Sequence, residues 1–132
     1  AVIMGVIIGI CVNMGLVLIS GSVVPLPEGV DTTTPEGLAA AMPLMKAKHF
    51  IMPFLAHALG TLVGAWFAAL IAPRFKMRYA LGIGVWFLIG GIIMITMVPS
   101  PTWFTIVDLV FAYIPMALIG GVIAMRIKTT SN

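Results

Sequence analysis

His57 and Asp108 carry the chemistry that stands out in this chain, because each is an ionisable side chain inside a long apolar stretch. Placing a charge at the centre of a bilayer costs about 2.5 to 3.5 kcal/mol on insertion scales, so an ionisable residue there is a functional-site hypothesis in its own right. An imidazole beside a carboxylate exists as imidazolium and carboxylate together, or as neutral groups sharing one proton. Either form suits a proton or a small polar solute. Ser20, Ser22 and Thr96 fall in the last turns of apolar segments and are the hydroxyls expected around the same pocket. Thr61 sits one turn from His57, and Asn13 lies deeper in the first segment, placed to hydrogen-bond between helices. The plainer alternative is a polar clamp that only staples helices together, at on the order of 1 kcal/mol per bond.

The elements that must position these residues follow from composition. In 132 residues the chain is 61% hydrophobic and 8% charged, which is not the balance of a soluble domain. A membrane-crossing helix needs about 20 predominantly apolar residues. Segments at about 1–25, 49–72, 77–98 and 103–125 meet that requirement. Backbone groups in lipid must be satisfied within the segment or in a closed barrel, and alternating ten-residue strands are absent. The expected fold class is therefore an all-α membrane protein, a four-transmembrane-helix bundle forming a single domain over 1–132, with an external segment at 26–48.

Charge sets the expected orientation. Arg74, Lys76 and Arg78 fill the link between the second and third helices, and Arg126 and Lys128 follow the fourth. By the positive-inside rule both clusters belong in the cytoplasm, with the N and C termini. The net charge of +3 thus reads as topology and not as a nucleic-acid surface. Glu28, Asp31 and Glu36 against Lys46 and Lys48 mark the first link as external, and the uncharged third link joins it. Trp103 and Phe104 then fit an aromatic anchor at the outer interface. His57 lies seventeen residues before Arg74, and Asp108 eighteen before Arg126. At about 1.5 Å per residue both sit roughly 26 Å from the cytoplasmic edge, on helices running in the same direction, so a contact between them is geometrically plausible.

The halves of the chain look alike. The first and third helices end in Val24-Pro25 and Val98-Pro99, the second in Ile71-Ala72 and the fourth in Ile123-Ala124 before cations. Two similar helical hairpins related by an axis along the membrane normal would explain this, although Pro at helix ends and Ile-Ala before cations are common membrane punctuation. Within the external segment Thr34 is a suitable N-cap with Pro35 at the first helical position. Leu38, Met42 and Met45 would share one face along the outer interface, with Pro43 disturbing the helix.

Small residues recur at helical spacing. The second helix has Ala56, Gly60, Gly64, Ala68 and Ala72; the first has Gly5 and Gly9; the fourth pairs Ala117 with Gly121 and Gly120 with Ala124. Lipid gives helices no hydrophobic drive to associate, so such stripes matter by letting backbones approach closely. They either seal the helices of one subunit together or form an oligomer interface, and both can hold on different faces.

Other chemistry is thinly represented. Among the ten methionines, Met42, Met45 and Met52 with His49 would fall along one helical face with soft ligands suited to Cu(I), but methionine is also an ordinary gap filler. A bis-histidine haem site across two helices of one subunit is not available to His57 and His49, though a homodimer could make one. No Ser-His-Asp order, catalytically spaced carboxylate pair or Walker-type glycine loop occurs. No cofactor or metal is expected, and enzymatic activity less than its absence. The single cysteine, Cys11, lies mid-segment and behaves as a small hydrophobe. The first residue already lies in an apolar run without Met, so the biological chain is expected to begin upstream.

The run Pro25-Leu26-Pro27-Glu28-Gly29-Val30-Asp31, with Pro35-Glu36-Gly37-Leu38 after it and His57-Ala58-Leu59-Gly60 in the next helix, resembles a group of small bacterial four-helix integral membrane proteins. The resemblance covers most of the chain. It implies a bacterial inner-membrane location and this topology, and supplies neither substrate nor catalytic residues. From the residues themselves the first expectation is a protein that works by assembly, with itself or as a small subunit of a larger membrane complex. The alternative is a proton-coupled or small-solute transporter or channel component using His57 and Asp108, with the lipid bilayer as surroundings in either case.

Overall fold

The computed structural model describes residues 1–129, which form helices and no strand. Four helical stretches are long and apolar enough to cross a membrane: Val2–Val23, Ala47–Ile71, Lys76–Met97 and Thr102–Ile127. The chain is a multi-pass four-helix membrane bundle. Its α-helices are α1 (Val2–Val23), α2 (Pro35–Ala41), α3 (Ile51–Ile71), α4 (Lys76–Met97), α5 (Thr102–Phe111) and α6 (Ile114–Thr129), with 3-10 turns at Met42–Leu44 and Ala47–Phe50. The side chain of Lys128, counted above among the basic residues, lies outside the described part.

α3 is the central helix and packs against α1, α4 and α6. It buries Ala56, Gly60, Thr61, Gly64, Ala65, Ala68 and Ala69, whereas α1 buries only Gly5 and Gly9. The small residues explain the difference. A Cβ placed on Gly64 would lie 2.6 Å from the Gly5 carbonyl oxygen, and one on Gly60 would lie 2.9 Å from that of Gly9. The two backbones are therefore in direct contact, which any side chain would prevent. The same device joins α6 to its neighbours: a Cβ on Gly120 would meet the Leu62 carbonyl at 2.6 Å, and one on Gly121 would meet Met77 and Ala80. Ala117 sits against Gly84 of α4.

Proline shapes the helix ends. Val24 and Val98, each followed by proline, leave their helices in nearly the same extended conformation, φ −127° and ψ 97° against φ −130° and ψ 102°. A residue before proline is pushed out of the α region, so this likeness has a local cause. The fourth span differs from the single helix expected at 103–125. It is broken at Ala112 and Tyr113 into α5 and α6. Pro115 has no N–H to donate and its ring collides with the carbonyl four residues back, at Phe111, which accounts for the break.

The link between α3 and α4 is short and well tied. Lys76 donates its ammonium to the carbonyls of Ala69, Leu70 and Ala72 at 2.9, 3.1 and 3.0 Å, satisfying acceptors that the end of α3 leaves over. Phe75 adopts a left-handed conformation, φ 52°, and the Arg78 guanidinium lies 4.7 Å over its ring.

At the opposite end lies the connector, residues 24–50. Thr34 accepts a hydrogen bond from the Gly37 N–H at 3.0 Å and Pro35 opens α2, which then tightens into the 3-10 turn containing Pro43. The connector is tied down by His49: its Nδ1 accepts the Lys46 N–H at 2.8 Å, which leaves the proton on Nε2 to be donated to the Pro25 carbonyl at 3.2 Å. Phe50 packs on Phe104 and Trp103, ring centroids 4.8 and 5.5 Å away. Phe104, expected at the lipid interface with Trp103, is instead buried by this contact.

Candidate functional site

His57 stands two turns into α3, Asp108 in the last turn of α5, and Tyr113 in the break between α5 and α6. The structure brings all three together. His57 Nδ1 lies 2.9 Å from Asp108 Oδ1 and 3.0 Å from Oδ2. The Tyr113 hydroxyl donates to Asp108 Oδ2 at 3.0 Å, and its ring stacks on the imidazole with centroids 5.9 Å apart. Asp108 is only 5% exposed, so the carboxylate depends on these donors and not on water.

The helix break makes this geometry. Tyr113 follows Asp108 by five residues, and the Ala112 N–H still closes a helical bond to the Asp108 carbonyl at 3.0 Å. Beyond it the chain re-aims, and the Tyr113 side chain turns back on Asp108. α4 leaves room for the ring: a Cβ on Gly91 would lie 2.5 Å from the Tyr113 oxygen. The site thus draws on α3, the α5–α6 break and a bare stretch of α4 backbone.

Because Asp108 accepts at both oxygens, His57 holds its proton on Nδ1 when neutral. Its Nε2 has no hydrogen-bond partner among the described residues. His57 also forms part of the wall of a cavity of about 280 Å³, which lies between the connector and the connector ends of α1, α3, α4 and α5. Leu38, Met42 and Met45 face this cavity and not the outer interface, so the connector roofs it. Asp108 forms part of the same wall.

The expected hydroxyls do not converge on it. Ser20 borders the cavity but donates to the Val17 carbonyl at 2.6 Å in its own helix. Thr96 is exposed and donates to the Ile93 carbonyl at 2.6 Å, and Ser22 is exposed. Thr61 is fully buried and donates to the His57 carbonyl at 2.8 Å, bracing the helix and not the imidazole. Asn13 has its Cβ over Gly60 and does not border the cavity. The residue missed from the sequence is Tyr113; its signal was Pro115, two positions on, which places a break beside Asp108.

The packing residues have definite places. Gly5, Gly9, Gly60, Gly64 and Ala68 lie in the α1–α3 contact, and Ala117 and Gly121 in the α4–α6 contact. Ala56 is fully buried in α3. No group of three or more histidine, cysteine, aspartate or glutamate side chains able to hold a metal ion occurs among the described residues. Comparison of the chain with protein-family models, curated proteins and solved structures finds no match.

Proposed function

We propose that the protein handles a proton together with a small solute in the cavity beneath the connector, as a small transporter or channel component of the bacterial inner membrane. One observation carries this reading: a buried carboxylate holds His57 by Nδ1 while His57 forms the wall of a 280 Å³ cavity. A clamp that only stapled helices would need no cavity beside it. The basic residues at the α3–α4 link and near the end of α6 support a cytoplasmic position for that end of the bundle, and with it both termini. The experiment is flux into liposomes driven by a pH step. His57→Ala and Asp108→Asn are each expected to lower the flux by about 100-fold, the scale of losing a positioned proton-transfer group. Flux equal to wild type in both variants would end this reading.

Assembly is the second reading, and a specific observation favours it. Gly82 and Gly90 of α4 and Gly15 of α1 have open space where a side chain would stand. Such positions admit a neighbouring helix at close range. Gly82→Leu should then reduce the particle mass of the extracted protein, and an unchanged mass would remove that interface.

A further inference from the structure

Four of the ten methionines, Met42, Met45, Met52 and Met94, border the cavity that His57 faces. They come from separate places: the 3-10 turn and its cap, the first turn of α3, and the last turn of α4. Gap filling does not explain their direction in the turn. There the branched Leu44 is turned outward, 59% exposed, while Met42 and Met45 on either side of it face the cavity. Thioethers are neutral, soft donors, and they lie outside the imidazole, thiolate and carboxylate groups from which harder metal sites are built.

His57 is held as a metal-ligating histidine is held. A ligating imidazole typically donates its other ring N–H to a carboxylate, which fixes its rotation and raises its basicity. Here Asp108 takes the Nδ1 proton, Tyr113 orients Asp108, and Nε2 is left without a partner among the described residues. His49 also borders the cavity, but both of its nitrogens are engaged, so it is not counted among the ligands.

Donor chemistry selects the ion. Neutral thioethers with a single imidazole suit a soft cation such as Cu(I), and the cavity offers few of the hard oxygen donors that other ions prefer. We propose that the cavity takes one soft monovalent cation, Cu(I) or its mimic Ag(I), on His57 Nε2 and the thioethers that border the cavity. The ion binds without change of oxidation state, and no electron is transferred. This deepens the proposed function and rests on the same site.

The test is anaerobic titration of the whole chain in nanodiscs with Cu(I), against a competing Cu(I) chelator. One Cu(I) per chain is the expected result. His57→Ala should weaken binding by at least tenfold, and so should Met52→Leu combined with Met94→Leu. The leucines keep the cavity apolar and the His57–Asp108 pair intact, so weaker binding in the double variant reports the thioethers themselves. Overturning results are no Cu(I) retained against the chelator, tighter Zn(II) than Cu(I) binding, or wild-type affinity in the double leucine variant. If Cu(I) fails while proton flux persists and depends on His57, the soft-cation assignment falls and the proposed function stands. If flux is also independent of His57, both fall.

Discussion

The two ends of this bundle use glycine in opposite ways. From the basic end to the middle of the bundle, Gly5, Gly9, Gly60, Gly64 and Gly120 bring backbone against backbone, and a methyl group on any of them would meet another chain segment within 3 Å, the exposed Gly82 of α4 being the exception with nothing within 4 Å. Toward the connector end, Gly15, Gly21 and Gly90 have nothing within 4 Å, and Gly91 accommodates a tyrosine ring and not a helix. One half is sealed by close backbone approach and small side chains. The other is held apart by Tyr113, by the α5–α6 break and by the connector, and it keeps a cavity. A single bundle can therefore be rigid where it closes and hollow where it binds.

The comparison can be broken most decisively at Gly64. Gly64→Leu drives a side chain into the Gly5 carbonyl, where only backbone movement gives relief. Overpacking costs typically about 1 to 3 kcal/mol and more where backbones must part, so the melting temperature in detergent should fall sharply or the fold be lost. Gly90→Leu, in open space, should melt as wild type does. Equal effects at both sites would erase the distinction between the two ends.

Pro115→Ala is expected to act next most strongly, and on function more than stability. It restores the missing N–H and favours a continuous α5–α6 helix. Tyr113 would then leave Asp108, and pH-driven flux should fall about tenfold, the low end of what moving a positioned residue costs, while the melting temperature stays level or rises. A flux like that of wild type would show that the break does not serve the site.

Tyr113→Phe is a finer probe. It removes one hydrogen bond to Asp108 and keeps the stacked ring, a loss of about 1 kcal/mol. Thermal unfolding should report it as a shift of a few degrees. No shift would mean that Asp108 is satisfied without the phenol.

The smallest effect belongs to the connector surface. The Thr33 hydroxyl and backbone N–H hold the Asp31 carboxyl below its ordinary range. A lowered value means that the turn is supported above the usual carboxylate pKa and loses that support as pH falls through the lowered one. Chemical shifts of Thr33 followed from pH 6 downward should move at lower pH than an exposed aspartate would; a normal midpoint would remove Asp31 as a turn-forming residue.

Length and apolar composition made the four spans legible in sequence, because bilayer thickness leaves few choices. The His57 and Asp108 contact was approachable from matched depth along parallel-running helices. Rotation about the helix axis was not, and rotation decides the rest. Ser22 and Thr96 share the right depth yet face outward, and Ser20 spends its hydroxyl within its own turn, which no spacing rule foretells. Tyr113 depended on a break whose cause, Pro115, was visible but whose new direction was not. The connector helix was legible from Thr34-Pro35, while the inward turn of Met42 and Met45 depends on a tertiary strap.

That strap sets a clock. His49 joins the connector to the end of α1 across 24 residues by one hydrogen bond, from Nε2 to the Pro25 carbonyl, while the Lys46 N–H fixes the ring from within the connector. At about 1 kcal/mol, breaking that bond alone would leave roughly one molecule in six open at any instant. Traffic into the cavity past the connector would then proceed through that minority, at the pace of a loop motion and not of diffusion.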